Sequence, residues 1–310
     1  MSAGRIRLRR TRRGPGRTRK GVGKLFFQEY QSAQGFREDV VSFLEQDEAV
    51  NNLPLGIVLA LEDPVAEAGR PLLGAVRDDR GEIALVALRT PPHNLVLAGC
   101  GRRLEAAVQT AVEHLSESQV ALPGVIGPRP TAETFARLWS DGTGDGVELQ
   151  VELEIYRLDE VRQVSRSPGR LRRADAADSE LAATWLEDFA REALLEKLRA
   201  DDVWRRVERS IRQGRLFFWE DGEPVSMATT ARRTQRGMAI SSVYTPPQFR
   251  RKGYATSCVA ALSRLLLDEG LDFCCLYADL ANPTSNRIYR RIGYRPVGES
   301  VVYKFRRHAS

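Results

Sequence analysis

Cysteine and histidine are scarce in this sequence, and the few that occur follow no metal-binding pattern. The 310 residues include four cysteines and three histidines. No C-x-x-C or H-x-x-x-H spacing occurs among them, so the sequence predicts no zinc or other metal site. Adjacent cysteines such as Cys274 and Cys275 rarely bridge each other, and no disulfide framework is visible. A reducing cytoplasm is therefore the expected compartment.

Long apolar runs are also missing from the sequence. No stretch reaches the roughly 18 to 20 apolar residues that a membrane helix requires, and the N-terminus lacks the apolar core of a secretory signal. We therefore expect no membrane partner. The 42% of hydrophobic residues and 28% of charged ones are typical of a globular protein and exclude disorder throughout. At roughly 100 to 200 residues per domain, the length predicts two domains.

Acidic side chains are absent from the first 24 residues, which carry ten basic ones. Without these ten, the chain has 37 basic against 41 acidic side chains. A segment rich in arginine and glycine cannot bury apolar surface, so we expect residues 1–24 to be a disordered basic tail. Its charge suits weak contact with a nucleic acid. A solvated extension, a misplaced start and a mitochondrial presequence are the alternatives.

Residues 25–159 have the pattern of a first α/β lobe. Residues 25–50 are expected to be helical, and apolar spacing predicts further helices at 102–115 and 131–139. Apolar runs separated by turns predict strands at 55–61, 72–76, 83–88, 95–98, 121–126 and 147–156.

Residues 160–170 contain few large apolar residues and include serine, proline and glycine, so we predict a linker there. Residues 171–310 form the second predicted lobe. Its helices are expected at 180–198, 202–213, 254–269 and 284–292, and its strands near 171 and at 216–220, 224–232, 238–244, 273–278 and 301–305. The continuously apolar run at 273–277 indicates a strand covered on both faces.

A basic loop lies at residues 250–255, which read Arg-Arg-Lys-Gly-Tyr-Ala, just before a predicted helix. Successive backbone N–H groups there can converge on a pyrophosphate at the helix N-terminus, where the helix dipole favours negative charge. Gly253 lets the backbone approach such a ligand closely, and the three basic side chains add charge-assisted bonds. Each feature taken alone is also typical of a plain solvated surface.

A second informative segment covers residues 282–294. Asn282 and the proline after it end a predicted strand, and the following helix is expected to begin at residue 284 or 285. Tyr289 lies one helical turn beyond Ser285, so the two hydroxyls face the same side of that helix. Half-buried packing is the alternative role for Tyr289.

Together these two segments resemble motifs of the GNAT superfamily of N-acetyltransferases. The basic loop is similar to the family's R/Q-x-x-G-x-G/A pattern, and residues 282–294 are similar to its N-P-x-S-x-x-x-Y-x-x-x-G-F/Y pattern. The order of predicted elements from residue 171 to 305 also matches that fold. The resemblance implies an α/β fold with a mixed sheet, acetyl-CoA as the acyl donor and a primary amine as the usual acceptor.

The resemblance also implies roles for individual residues. Tyr289 would be the catalytic acid that protonates the leaving thiolate, and the backbone of Val243 and Thr245 would bind the pantetheine. The residues implied in cofactor binding are Val243, Tyr244, Thr245, Arg250, Arg251, Lys252, Gly253, Tyr254, Ala255, Thr256, Asn282 and Ser285.

The general base is not assigned by these motifs. Ser241 and Ser242 stand at the end of a predicted strand, where many relatives carry a glutamate. Glu187, Asp188 and Glu192 either supply the base or form an exposed helix face, and a chain of water molecules is a third route for the proton.

The first lobe repeats the order of elements of the second. The first lobe therefore resembles a degenerate copy of the second in a tandem GNAT-like acyl-CoA N-acyltransferase fold. Residues 97–104 stand where the second lobe has its basic loop, but they are fewer and lack the R-x-x-G-x-A pattern. Arg102 and Arg103 there belong either to a simple turn or to an anion contact. Only residues 171–310 are therefore expected to bind the cofactor, while residues 25–159 shape the acceptor pocket or stabilise the second lobe.

The resulting hypothesis is an acetyl-CoA-dependent N-acetyltransferase acting on a small-molecule amine or a protein amino group by direct attack on the thioester. The alternative is a CoA-binding regulatory or nucleic-acid-associated protein with an inactive GNAT lobe, which the missing glutamate and the basic tail favour. A third hypothesis is an acyltransferase for a longer acyl-CoA, since acyl length depends on the volume of the pocket.

Overall fold

The computed structural model is built on one mixed sheet of twelve strands. The structure describes residues 23–62, 70–99, 101–194 and 199–307. Two predicted features lie partly outside the described residues, namely residues 1–22 of the tail and residues 195–198 of a predicted helix. No helix in the described part of the chain is both long and apolar enough to cross a membrane.

The first half of the chain contributes strands β1 to β6 and helices α1 to α4. The strands are β1 (Leu25–Glu29), β2 (Leu72–Asp78), β3 (Ile83–Arg89), β4 (Leu95–Gly99), β5 (Gly124–Pro128) and β6 (Gly146–Leu158). The helices are α1 (Ala33–Leu44), α2 (Asn52–Ala60), α3 (Leu104–Glu117) and α4 (Arg129–Thr143), and a short 3-10 helix follows α1 at Glu45–Asp47.

Two predictions for this half are wrong. Residues 25–50 are not helical throughout, because β1 pairs with β2 and the helix begins at Ala33, capped by the Ser32 hydroxyl at 3.1 Å from the Gly35 N–H. Residues 55–61 lie almost entirely in α2 rather than in a strand. That segment is apolar on every side, and an all-apolar run has neither helical nor strand periodicity.

The second half contributes strands β7 to β12 and helices α5 to α8. The strands are β7 (Arg170–Arg173), β8 (Leu216–Asp221), β9 (Glu223–Ala231), β10 (Gly237–Tyr244), β11 (Phe273–Asp279) and β12 (Arg295–Arg306). The helices are α5 (Ser179–Phe189), α6 (Ala200–Arg212), α7 (Tyr254–Asp268) and α8 (Pro283–Ile292), and a π-helical stretch, Ala190–Leu194, continues α5. The predicted strands β8 to β11 and helix α7 are confirmed.

Three element ends in this half differ from the prediction. The helix expected at 180–198 stops at Phe189, where the hydrogen bonding changes to the π-helical pattern. Helix α8 begins at Pro283, one residue earlier than expected, because Asn282 serves as its N-cap. The last strand covers Arg295–Arg306 instead of 301–305, since it pairs along most of its length with β6.

The two halves of the chain exchange their last strands. Along the sheet the order is β1-β2-β3-β4-β5-β12-β6-β11-β10-β9-β8-β7. Strand β6 therefore pairs with β11 of the second half, and β12 pairs with β5 of the first half as well as with β6. Each half completes its part of the sheet with a strand from the other. The domain boundaries at 160 and 170 stay a prediction.

Helices cover both faces of the sheet. On one face, α3 and α4 pack over the strands of the first half, and α7 and α8 pack over those of the second. On the other face, α1 and α2 cover the first half, and α5 and α6 cover the second. Strand β11 is buried on both sides, with Cys274 under α7 and Cys275 on the opposite face. Both thiols are free, and burial raises the pKa of each to about 12.

Candidate active site

Strands β10 and β11 run parallel and separate towards their carboxyl ends. Their pairing is confined to residues 237–239 and 273–275, although the strands continue to Tyr244 and Asp279. On the other side of β10, the register with β9 shifts between Ser241 and Tyr244, and Ser242 has a φ of 47°. This β-bulge bends the end of β10 and leaves a slot with unpaired backbone groups between β10 and β11.

The basic loop ends at the first residue of α7. Gly253 is the N-cap with a φ of 83°, and its carbonyl accepts the Ser257 N–H at 3.0 Å as the first bond of the helix. The N–H groups of the first helical turn therefore have no partner inside the helix. The loop borders a cavity of about 320 Å³, which is lined by Ser165, Arg166 and Ser167, by Lys252, Gly253 and Thr256, and by Arg291 of α8.

Arg250 lies outside this cavity and connects the end of β10 to the π-helical stretch after α5. Its Nε donates to the Thr245 carbonyl at 2.8 Å, and its guanidinium forms an ion pair of 2.6 Å with Glu192. The guanidinium also lies over the Tyr244 ring, 5.7 Å from the centroid. The structure therefore does not bring the Arg250 side chain to the predicted pyrophosphate position, whereas it brings Lys252 and Gly253 there.

The remaining residues of the basic loop differ in their exposure to solvent. Arg251 is exposed with a φ of 64°, and Ala255 is half-buried. Tyr254 is buried and its hydroxyl donates to Asp221 at 2.6 Å, which anchors the start of α7 to the β8–β9 turn. Beside the slot, Val243 is half-buried, and the Thr245 hydroxyl lies 2.8 Å from that of Ser226.

Tyr289 lies in the core beside α7 and is 8% exposed. Its ring centroid is 6.0 Å from that of Tyr156 and 6.0 Å from that of Tyr294. Within the described residues no side chain hydrogen-bonds its hydroxyl, and burial raises its pKa well above the ordinary value. The phenol is therefore protonated at neutral pH and free to donate a hydrogen bond.

The turn between β11 and α8 is held by two asparagines. The Asn282 Oδ1 accepts the Ser285 N–H at 3.1 Å, so both residues with predicted cofactor roles belong to the N-cap of α8. Asn286 is buried, and its Oδ1 accepts a hydrogen bond from the Tyr156 hydroxyl at 3.0 Å. Its amide nitrogen donates to the carbonyls of Asp279 and Asn282, each at 2.8 Å. These bonds fix the direction in which α8 leaves the sheet.

Two carboxylates meet the end of β10 on the face of α5. The Tyr244 hydroxyl lies 3.3 Å from an oxygen of Asp188 and 3.3 Å from an oxygen of Glu192. Burial, followed by the charge of the two carboxylates, raises the pKa of Tyr244 to about 12. Glu187 is exposed. Of the three acidic residues considered for the base, Asp188 and Glu192 thus reach the strand end, and Glu187 occupies the exposed helix face.

The two serines of β10 do not supply the missing carboxylate. Ser242 is 2% exposed, and its hydroxyl is buried without a hydrogen-bond partner. Ser241 is half-buried, and its carbonyl accepts the Thr229 hydroxyl at 3.1 Å. A serine hydroxyl without an adjacent base does not take up a proton at neutral pH. The general base therefore has to come from another element or from water.

The corresponding place in the first half is occupied by the protein's own side chains. Strands β4 and β5 are parallel, and α4 follows β5 directly, so the Thr131 hydroxyl reaches the Gly99 carbonyl at the end of β4 at 3.2 Å. Arg103, at the start of α3, pairs with Asp78 at 3.1 Å. For Arg103 an ion pair thus takes the place of the anion contact that was considered, while Arg102 is exposed.

Four of the cavity residues were not among the site residues predicted from the sequence. Ser165, Arg166 and Ser167 lie in the predicted linker, and Arg291 lies on α8 beyond the tyrosine of the motif. The Ser167 hydroxyl bonds to the carbonyl of Lys252, which is 85 residues away along the chain. Local patterns do not reveal a contact of this separation, so only the folded chain brings these residues together.

Comparison with known proteins gives the class of this fold. Residues 218–302 match a family model described as FR47-like protein. A GCN5-related N-acetyltransferase from Sphaerobacter thermophilus superposes with a TM-score of 0.60 at 17% identity, covering 92% of this chain and 97% of the other. A GNAT-family acetyltransferase from Colwellia psychrerythraea gives a TM-score of 0.59 at 10% identity, covering 91% and 99%.

A third similar structure is described as a tandem GNAT protein from the clavulanic acid biosynthesis pathway, with a TM-score of 0.54 at 14% identity over 90% of this chain and 98% of the other. A search of curated proteins found no significant match. The chain therefore has the fold of the GNAT acetyltransferases, in tandem form, and both the resemblance and the fold class expected from the sequence are confirmed.

Proposed function

We propose that the protein is an acetyl-CoA-dependent N-acetyltransferase that transfers the acetyl group to a primary amine by direct attack of the amine on the thioester. One observation carries the proposal: at the same end of β10 the structure has an open strand slot and, at the start of α7, a cationic cavity. The GNAT fold supports an acetyltransferase in general terms, and the donor, acceptor and residue roles that follow are part of the proposal.

The slot and the cavity suit the two parts of the donor. Amide groups of an extended pantetheine arm can pair with the backbone of Val243, at the end of β10, and with the N–H of Thr245 just beyond it, as an added strand would. The Thr245 carbonyl already accepts Arg250 Nε. The diphosphate then lies against Lys252, Gly253 and the N–H groups of the first turn of α7, where the helix dipole favours an anion. Asn282 and Ser285 support this arrangement by fixing the start of α8.

Tyr289 is the proposed donor to the leaving sulfur. When the amine attacks, the C–S bond breaks and the electron pair goes to the sulfur, which then needs a proton. The buried phenol remains protonated at neutral pH, and within the described residues no side chain competes for its hydroxyl. The carbonyl oxygen of the tetrahedral intermediate is stabilised by a backbone N–H near Val243.

The attacking amine must lose a proton, and Asp188 and Glu192 are the proposed acceptors. Both reach the Tyr244 hydroxyl at the end of β10. Each is also held by an arginine, since Arg191 pairs with Asp188 and Arg250 with Glu192. A water molecule between the amine and these carboxylates completes the path. The acceptor is a small-molecule amine or a protein amino group.

The proposal is tested by calorimetric titration with acetyl-CoA, followed by measurement of thiol release against a panel of amines and basic peptides. We expect saturable binding and amine-dependent release of CoA. Longer acyl-CoA donors in the same assay establish the acyl length. Absence of binding to acetyl-CoA contradicts the proposed donor, and release that is independent of the amine contradicts the proposed acceptor class.

The second candidate is a CoA-binding regulatory or nucleic-acid-associated protein without turnover. It is favoured by Ser241 and Ser242, which leave the end of β10 without a carboxylate, and by the basic residues 1–24. Binding of acetyl-CoA with no release against any amine supports this candidate. Salt-sensitive RNA binding that is lost when residues 1–24 are removed supports its nucleic-acid form.

A further inference from the structure

The linker between the two halves folds back onto the basic loop. The Ser167 N–H donates to the Ser257 hydroxyl at 2.8 Å, and the Ser167 hydroxyl donates to the Lys252 carbonyl at 2.8 Å. One residue later, the Pro168 carbonyl accepts the indole N–H of Trp219 at 2.8 Å. A Cβ at Gly253 would lie 2.7 Å from the Ser167 hydroxyl. The linker is therefore a fixed wall of the cavity.

Three cations from three different segments line this cavity: Arg166 of the linker, Lys252 of the loop and Arg291 of α8. Within the described residues none of them forms an ion pair with a carboxylate. The Arg166 guanidinium lies over the Trp219 ring at 5.0 Å from its centroid, and the Lys252 ammonium lies 5.9 Å from the centroid of the Phe249 ring. All three side chains are exposed, and because no carboxylate pairs with them they give the cavity a positive potential that favours a bound anion.

Thr256 adds a neutral hydrogen-bonding group to the three cations of the cavity. It lines the cavity, and its residue is only 7% exposed. Its hydroxyl makes no hydrogen bond to any other described residue, so it is available to a ligand in the cavity. A phosphate oxygen in the cavity would satisfy it, together with the free N–H groups of the first turn of α7.

We infer that Arg166 and Arg291 bind a phosphate group of the cofactor from the side opposite the basic loop, so that the linker is a part of the cofactor site. The inference rests on the proposed donor, because it assigns additional residues to the same ligand. Guanidinium groups suit this role, since their N–H donors match phosphate oxygens in pairs. The phosphate is either the diphosphate or the 3′-phosphate on the ribose of CoA.

The test is a calorimetric comparison of CoA and dephospho-CoA binding to the wild-type chain, Arg166→Gln and Arg291→Gln. Each position has a matched control: Arg162→Gln for the linker and Arg287→Gln for α8, since both arginines are exposed and neither lines the cavity. We expect the two cavity variants to bind CoA roughly tenfold or more weakly than the wild type. We expect each control to remain within about twofold.

Dephospho-CoA separates the two phosphate sources. Equal losses for CoA and dephospho-CoA assign the arginines to the diphosphate, and a loss seen with CoA alone assigns them to the 3′-phosphate. Both results support the inference. If the cavity variants bind CoA as tightly as their controls do, the inference is wrong while the proposed function stands. If the wild-type chain fails to bind CoA, the proposed function itself is wrong.

Discussion

Individual residues at this site differ in backbone conformation and in whether their polar atoms have a hydrogen-bond partner. Tyr289 is packed between two tyrosine rings, and its hydroxyl has no hydrogen-bond partner among the described residues. Tyr294, which is also buried, has its hydroxyl 2.8 Å from that of Ser263. Gly253 holds a φ of 83° where the loop meets both α7 and the linker. Side chains that share burial thus differ in whether a polar atom remains available to a ligand.

Replacing Tyr289 by phenylalanine tests the role of that hydroxyl. The ring packing is retained, so stability and affinity for acetyl-CoA should stay close to those of the wild type. Turnover should fall by about 10² to 10⁴ because the donor to the leaving sulfur is lost. The matched control is Tyr303→Phe, a half-buried tyrosine of β12. Equal turnover in the Tyr289 and Tyr303 variants, measured by thiol release, would remove Tyr289 from the mechanism.

Replacing Gly253 by alanine tests the backbone of the loop. A φ of 83° costs a residue with a side chain about 1–2 kcal/mol, and the new Cβ also meets the Ser167 hydroxyl at 2.7 Å. Gly270→Ala is the control, because Gly270 has a φ of 94° and open space around it at the other end of α7. Both variants should lose stability in thermal unfolding, and only Gly253→Ala should lose affinity for acetyl-CoA.

At the scale of secondary-structure elements, the segment after α1 joins the two halves on the face opposite α7. Glu48, whose side chain is 1% exposed, pairs with Arg236 at 2.6 Å. Asn52 and Arg232 exchange two hydrogen bonds of 3.1 Å and 2.8 Å, and the Tyr277 hydroxyl donates to the Val50 carbonyl at 3.0 Å. These contacts hold the first half against β11 and the turn between β9 and β10.

The Glu48 contact predicts a pH dependence of stability. Burial alone would raise the pKa of Glu48, but hydrogen bonds from Thr234 and Arg236 lower it below the ordinary 4.5. A lowered pKa in the folded state stabilises the protein above pH 4.5 and ceases to do so as the pH falls through the lowered value.

Glu48→Gln should therefore lower the free energy of unfolding by about 1–3 kcal/mol at neutral pH. The difference from the wild type should shrink on acidification below the ordinary pKa of a glutamate. Denaturant unfolding at several pH values measures it, with the exposed Glu117→Gln as control. A difference that is constant with pH, or matched by the control, would contradict the assignment.

Sequence patterns predicted elements well where local signals suffice. Helix α7 follows a glycine N-cap, and β8 to β10 are separated by turns, so their positions were confirmed. The helix α2 was missed because its apolar residues surround it on all sides. The loop at 250–255 was recognised from its motif, but the orientation of Arg250 towards Glu192 depends on a π-helical segment that no local pattern indicated.

At the scale of the whole molecule, strand exchange was beyond the reach of sequence patterns. The alternation of β6 predicts a strand, but it does not indicate that β11 and β12 are its neighbours. Register in a sheet is set by partners that are distant along the chain. The strands on either side of the linker belong to one sheet, so the linker does not connect two halves that move independently.

The exchange predicts that neither half folds alone. When the chain is divided after residue 163, the fragment 1–163 lacks β11 and β12, so β6 loses its partners on both edges and β5 loses one. The fragment 164–310 lacks β6, which lies between β12 and β11. We expect each fragment to be aggregated or unfolded by size-exclusion chromatography and circular dichroism, and co-expression to give a soluble one-to-one complex. A monomeric fragment with cooperative unfolding would show that its half is an independent domain.

The central claim is that this tandem GNAT fold has one cofactor site, between the loop at 250–255 and the linker. Calorimetric titration of the full chain with acetyl-CoA tests it most directly. The account predicts saturable binding with one molecule per chain, because the first half has an ion pair at Arg103 in place of the basic loop. Two binding events per chain, or none, would contradict it.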